Sequence, residues 1–502
     1  MQKLVIFGID GGSWDLINTL IDENKMPNLK KMIENGVSGN LQSTIPPITG
    51  PAWASFATGK KPENHGIYDF VTHDEKKSRL MTSKNIKGKT FYEILSHEGL
   101  RSVLIGLPLS YPPKKINGII LADTFSPKKF AYPQSANKYL GEYQWALNSN
   151  LEGTQLINEL ISFTNNHTKV AKKIFKNEQW DLFFILFPAS DAISHKYYGD
   201  MLSRSKIGIE AIKIFQKIDE SIGWFLKQSI NDITFFLLSD HGFQECNRNF
   251  FINSYLRNMN LLEVKLITKD RIKEVGELGK NIEQKEIFIN KNLYIIFKIN
   301  WIRKLAWNMK LILNKIMKGK FQIKTGYIPD PEKSKLYMPT LSSYCLNIND
   351  SKNKLINKII KLLKNLKDPD NGKKIFAEVF YVNLNNFERI YFDPIPGYYI
   401  NTGITDEIFS TSKNNIHKRD GIFIAYGEDV KKGKKINDGN IYDLTPTILK
   451  MFNIEIPPDI DGRFITGIFS KDLTDRKISI KEIKLRKEKS EIRKEIIKLK
   501  NI

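Results

Sequence analysis

Cysteine is nearly missing from this chain. Cys246 and Cys345 are the two present among 502 residues, which excludes a disulfide scaffold and a cysteine zinc cluster. They read as plain thiols of a reducing compartment. No run approaches the roughly 18 uninterrupted apolar residues that a membrane span needs. The apolar stretch of the opening MQKLVIFGID is too short for a signal peptide and ends in an acid and two glycines, so it reads as a first strand and the protein is expected in the cytoplasm. Histidine is scarce at seven, so each position carries information. Acids are also short, 55 against 77 basic residues for a net charge of +22, with the excess concentrated in 251–330 and 471–502. Such a balance raises nucleic acid or an anionic membrane as partners. A chain rich in Lys, Ile and Asn throughout explains it equally well, and a nucleic-acid partner is not expected. The 41% hydrophobic and 26% charged residues are ordinary for a globular chain long enough to bury a large core.

Short apolar runs recur at Lys3–Asp10, Ser102–Gly106, Asp181–Phe187, Ile233–Ser239 and Gly421–Ala425, separated by stretches of helical spacing such as Trp14–Leu20 and Met26–Asn35. This alternation predicts an α/β fold with a mainly parallel sheet sandwiched by helices. The alternation breaks between 251 and 390, which includes the helix-like Leu355–Leu366. The predicted organisation is a core from 1–250 and 391–470, an inserted cap at 251–390 and a charged helical tail at 471–502.

Ligands of such sheets gather at the carboxyl ends of strands. The first run ends in Asp10. The run at Asp181–Phe187 leads into Asp191, with His195 four residues on, and the run at Ile233–Ser239 leads into Asp240 and His241. One strand-end Asp is ordinarily a helix cap or turn residue. Three together, two of them with histidines, indicate a metal site, since carboxylate and imidazole suit Zn, Mn or Fe. Between the first and second runs, Pro46 and Pro47 precede Ile48 and Thr49, and Gly50-Pro51 opens the helical run Ala52–Ala57. A threonine there is either a cap or a nucleophile aimed at an anion held by free backbone N–H groups.

These residues resemble the type I phosphodiesterase/nucleotide pyrophosphatase family of the alkaline phosphatase superfamily. The resemblance rests on Asp10 with its glycines, Thr49 followed by Ala57-Thr58-Gly59, Pro62 to Gly66, Asp191 with His195, Ser239 to Phe243, and His417 ahead of Gly421–Ala425. Ile441–Leu449 and Asp461 to Arg463 look like its closing helix and turn. The resemblance implies an alkaline phosphatase-like fold and two divalent metals, zinc first with manganese as the alternative. Asp191, His195 and His417 would hold one, and Asp10, Asp240, His241 and the Thr49 hydroxyl the other. It implies hydrolysis of a phosphoric ester, by a phosphodiesterase or phosphatase, through a phospho-threonine intermediate. A phosphotransferase or phosphomutase using the same site is the alternative. One departure bears on substrate: where nucleotide pyrophosphatases carry a phosphate-binding Asn, this chain has Asp69 and Phe70.

The remaining polar candidates read as structural. His65 is expected to brace the nucleophile turn, and Asp443 to act as a cap. His73, His97 and His167 belong to no motif. In the insertion, Trp301, Leu305, Met309, Ile312 and Ile316 recur at helical spacing with lysines elsewhere. The stripe is expected to pack against the cap, with peripheral membrane contact as the alternative. The oligomeric state is not legible.

Overall fold

The run Lys3–Ile9 forms a strand (β1) with six consecutive buried residues, Leu4 to Ile9, as expected for a strand covered on both faces. In the computed structural model, residues 3–470 are described apart from 75–76, 149, 229–232, 267–326, 342, 350–352, 385–386 and 437–438. The amphipathic stretch 297–318 and the tail 471–502 lie outside the described residues.

Eight further strands frame the site: β2 (Val37–Gln42), β3 (Ser102–Ile105), β4 (Gly118–Leu121), β5 (Leu182–Phe187), β6 (Ile233–Leu238), β7 (Gly242–Phe251), β8 (Phe409–Lys418) and β9 (Asp420–Tyr426). A ten-stranded sheet runs in the order β2, β9, β6, β1, β5, β3, β4 through its main members. From β6 to β4 all neighbours are parallel. β9 departs from this, lying antiparallel to both β6 and β2. The physical reason is chain direction. β7 continues outward from β6, β8 returns along it antiparallel, and β9 follows β8 almost directly, so it re-enters the sheet pointing the opposite way.

The helices that position the site are α1 (Trp14–Asp22), α2 (Thr49–Thr58), α3 (Gly153–Asn177), α4 (Ala189–Ser203), α5 (Lys206–Lys227) and α6 (Leu444–Met451). α3 and α5 bury the apolar stripe of their amphipathic pattern in the same core as the sheet. α5 also supplies Asp219, whose carboxylate accepts the N–H groups of Asn28 and Leu29 at 3.1 and 2.8 Å. It thus caps the helix Pro27–Glu34, which has no side-chain cap of its own.

A second hydrophobic core is built from Phe250–Leu262 and residues of 336–409. Its four-stranded sheet orders Leu336–Tyr337, Cys345–Ile348, Phe387–Pro394 and Phe376–Leu384, and the helix Asn353–Asn365 packs on the last of these. The strand Phe387–Pro394 runs across residue 390 and the second core continues to Phe409, while the main sheet resumes at β9, where the apolar run Gly421–Ala425 placed it. Cys246 and Cys345 are both buried and free. No helix among the described residues is long and apolar enough to cross a membrane.

Candidate active site

β1, β5 and β6 are neighbours, so their carboxyl ends bring Asp10, Asp191 and Asp240 to one edge of the sheet. Asp10 directly follows β1. Asp191 stands in the first turn of α4 with His195 one turn later, and Asp240-His241 fill the link from β6 to β7. His417 arrives from far away in sequence. Its strand β8 pairs with β7 in a register that sets His417 opposite Phe243, which returns it to the side of His241. The two imidazoles stack with ring centroids 3.6 Å apart.

Thr49 is the first residue of α2, all ten of whose residues are buried. Its Oγ1 lies 3.3 Å from His241 Nε2 and 3.5 Å from Asp10 Oδ1. His241 Nε2 is also 3.2 Å from Asp240 Oδ2 and 3.6 Å from Asp10 Oδ1. Asp10, Thr49, Asp240 and His241 therefore form a buried group. Beside it, His417 Nε2 is 3.2 Å from Asp191 Oδ1 and 2.9 Å from His195 Nε2. This second group is more open, and the His195 side chain is 47% exposed. His241 bridges the groups, since its Nε2 is 4.0 Å from Asp191 Oδ1. All seven residues singled out from the sequence thus meet at one edge of the sheet.

The ring orientations fit cation binding. His417 Nδ1 faces the Pro47 carbonyl at 2.9 Å, and His241 Nδ1 faces that of Gly242 at 3.3 Å. Each N–H donated to a carbonyl leaves the Nε2 lone pair turned toward the carboxylates. Asp191 Oδ1 and Asp240 Oδ2 are buried without a hydrogen-bond partner. Bare lone pairs facing bare carboxylate oxygens repel. Leaving a buried charge uncompensated costs about 3–5 kcal/mol, so this donor set fits divalent cations, which would satisfy every one of these atoms. Asp10, Asp240 and His241 form one candidate ligand group, and Asp191, His241 and His417 another.

Electrostatics agree. Burial, then the charges of Asp240 and Asp191, push the Asp10 carboxyl well above its ordinary value. Burial raises Asp240 to about 7 despite the Gly11 N–H that it accepts at 3.2 Å. Burial also works against Asp191, but the facing imidazoles of His195, His417 and His241, when they carry a second proton, outweigh it and hold that carboxyl below the usual range. His241 is pushed well down by burial and by His417.

Ser190 had no place in the sequence reading, whereas Phe243, His65, Asp461 and Asp443 did. Ser190 Oγ donates at the carbonyls of Asp10 and Phe187, 2.7 and 2.8 Å away, tying β1 to the start of α4. Phe243 places its ring within 5.9 Å of all three imidazoles and lies so close to Gly11 that a Cβ there would sit 2.5 Å from it. Gly11 is also held at φ +67°, so two constraints require glycine. His65 is fully buried, its Nδ1 accepting the Ile67 N–H at 3.1 Å and its Nε2 meeting Ser55 Oγ of α2 at 2.9 Å. That ties the His65 loop to the helix carrying Thr49. The motif Asp461 to Arg463 clamps the other end of α2. The Asp461 and Gly462 N–H groups donate to the Gly59 carbonyl, and the Asp461 carboxylate accepts the Lys61 N–H at 2.8 Å. Asp443 accepts the N–H groups of Asn440 and Arg463, both at 2.8 Å, and is turn structure. His97 is exposed, and His167 is buried between Tyr143 and Phe163.

No curated protein sequence matches the chain. Among solved structures it is similar to murine ectonucleotide pyrophosphatase/phosphodiesterase 5, at 14% identity and a TM-score of 0.49 over 91% of this chain and 96% of that one. The human protein of the same name gives 13% identity with the same TM-score and coverage, as does an inactive variant of the murine protein in complex with AMP. The family sequence model described as type I phosphodiesterase / nucleotide pyrophosphatase matches residues 4–292, more than half of the chain. The chain belongs to this family, among the phosphodiesterase and pyrophosphatase enzymes of the alkaline phosphatase superfamily.

Proposed function

We propose that the protein hydrolyses phosphoric esters at a two-metal site, with Thr49 as nucleophile and a phospho-threonine intermediate. The observation that carries this reading is the position of Thr49. Its hydroxyl stands at the start of a buried helix, within 3.5 Å of a carboxylate and an imidazole whose neighbours include unpartnered carboxylate oxygens. Asp10, Asp240, His241 and Thr49 would hold one ion, and Asp191, His195 and His417 the other, zinc being the first choice for this mixture of oxygen and nitrogen donors. Bound there, the ions would draw charge from the phosphate oxygens and lower the hydroxyl pKa of Thr49.

The chain's own residues supply the rest. α2 fixes the direction of the Thr49 hydroxyl, and the burial of Thr49, Asp10 and His241 keeps bulk water from that oxygen. Attack forms the Thr49 Oγ–phosphorus bond as the bond to the leaving oxygen breaks; the Thr49 hydroxyl proton passes to solvent, and the leaving oxygen takes a proton from solvent as it departs. The exposed His195 side is where water reaches the phosphothreonine. Water then forms the new phosphorus–oxygen bond, releases phosphate or a monoester, and returns the hydroxyl to Thr49.

The test is to load the full chain with Zn²⁺, react it with p-nitrophenyl phosphate and bis-p-nitrophenyl phosphate, quench in acid and map phosphorylation by mass spectrometry. Phosphate on Thr49, absent from Thr49→Ala, is the expected result. Turnover by Thr49→Ala at the wild-type rate would overturn the covalent route.

A further inference from the structure

The residue next to the nucleophile has no side chain, and an aromatic ring occupies the space. A Cβ on Gly50 would lie 3.3–3.6 Å from three carbons of the Phe70 ring, so Phe70 rests against the first turn of α2, beside Thr49. Its other contacts place it on the second core, which includes Ile48. Phe70 stacks on Phe125, with centroids 4.1 Å apart and planes 25° from parallel. Phe125 is 37% exposed and is the only aromatic among the exposed large hydrophobic residues described.

The pair is held in place by a buried acid. Asp123 follows β4 at the same sheet edge as the other strand-end acids, and it binds hydroxyls and an amide. Its carboxylate accepts the Phe125 N–H at 2.8 Å, Ser126 Oγ at 2.8 Å and Ser110 Oγ at 3.2 Å. This turn projects Phe125 outward over Phe70. An aromatic side chain left partly in water is costly, and a fixed turn denies it the freedom to fold away. Rings already stacked on each other leave no slot between them for a flat base. What they offer is the outer face and edge of Phe125 and the edge of Phe70, an apolar wall with no donor for an anionic oxygen.

Building on the phosphoester reading above, we infer that the Phe70–Phe125 wall is the subsite for an apolar organic group carried by the phosphate. The preferred substrate then bears an aryl or alkyl group beside the reacting phosphorus, where a further phosphate would find no hydrogen-bond donor from the wall. Phe125 acts as a specificity residue that touches this group, and Asp123 positions it.

The experiment titrates Zn²⁺-loaded full chain with inorganic phosphate and with methyl-, phenyl- and n-hexylphosphonate by calorimetry. Phenyl- or hexylphosphonate should bind at least about tenfold more tightly than methylphosphonate, the scale expected from covering one ring or several methylenes. Phe125→Ala should reduce that preference to within about twofold and leave methylphosphonate affinity as in wild type. Phe125→Leu keeps apolar bulk without a ring. It should retain the hexyl preference if the group is aliphatic, and lose the phenyl preference if the group is aryl. Equal affinities across the three phosphonates in wild type, or a preference that survives Phe125→Ala, overturns the subsite while leaving the phosphoester site intact. If inorganic phosphate and all three phosphonates fail to bind, the phosphoester reading itself fails, and the subsite with it.

Discussion

The two halves of the site use the same ligand types in opposite surroundings. Asp10, Asp240 and His241 are closed off from water, whereas Asp191 and His417 are half-buried and His195 is largely open. Burial works against ionisation of all three carboxyls, yet Asp191 is held low by the three imidazoles facing it, when they carry a second proton, while Asp10 and Asp240 are pushed up. The difference teaches that both halves leave a carboxylate oxygen without a partner, the closed half in a dry setting and the open half where water has access. A covalent mechanism needs both conditions, a dry oxygen for attack and a wet side for release.

The largest expected effect breaks the dry half at its reacting atom. Thr49→Ala should lower turnover by about 10³-fold or more while two metals per chain remain bound, and Thr49→Ser should retain part of the activity. Steady-state rates with elemental analysis decide this.

Next in size is metal release. Chelator titration followed by elemental analysis should remove one equivalent before the other, the open half first. His195→Asn should weaken that first equivalent about 10–100-fold and leave the second in place. Simultaneous loss of both would erase the distinction between the halves.

A smaller effect separates them without metal. In the metal-free chain, Asp240→Asn relieves a buried carboxyl that has no partner on Oδ2, and should stabilise the fold by about 1–3 kcal/mol at pH 8. His195→Asn, at an exposed position, should change it by less than about 0.5 kcal/mol. Urea unfolding of both variants checks the contrast.

The smallest effect asks whether burial acts the same way away from the metals. Asp393 lies on the second core's sheet, 3.4 Å from the Arg419 guanidinium, and burial raises it to about 6 against the pull of that cation. An acid whose folded pKa exceeds its unfolded value favours the protonated folded state. Its cost is absent below about pH 4 and complete above about pH 6, so stability falls as pH rises between them. Asp393→Asn should therefore flatten that slope, gaining about 1–2 kcal/mol over wild type at pH 7.5 and little at pH 4.5. A wild-type profile that rises through this window would contradict it.

Much of this site was legible because its determinants are local. Continuous apolar runs that stop at an acid announce buried parallel strands and their carboxyl ends, and Asp10, Asp191 with His195, and Asp240 with His241 all follow from that pattern. Thr49 stood out by its prolines and glycine. His417 did not. Its strand Phe409–Lys418 is polar and half-exposed, with no periodic signal, and only the resemblance located it. Strand β2 was missed because it is rich in small and polar residues, and β4 was missed although it is as long as β3, which was found.

The sequence by itself determined which strand ends present candidate ligands, because strand pattern and ligand type are properties of short segments. Only the tertiary structure decided what faces what. Pairing of β7 with β8 returns His417 to His241, a glycine at position 50 lets Phe70 close on α2, and Asp123 builds a turn for Phe125 where three similar acids join the candidate ligand groups. These placements depend on register, on space left by a missing side chain and on burial, each of which exists only once distant segments have packed.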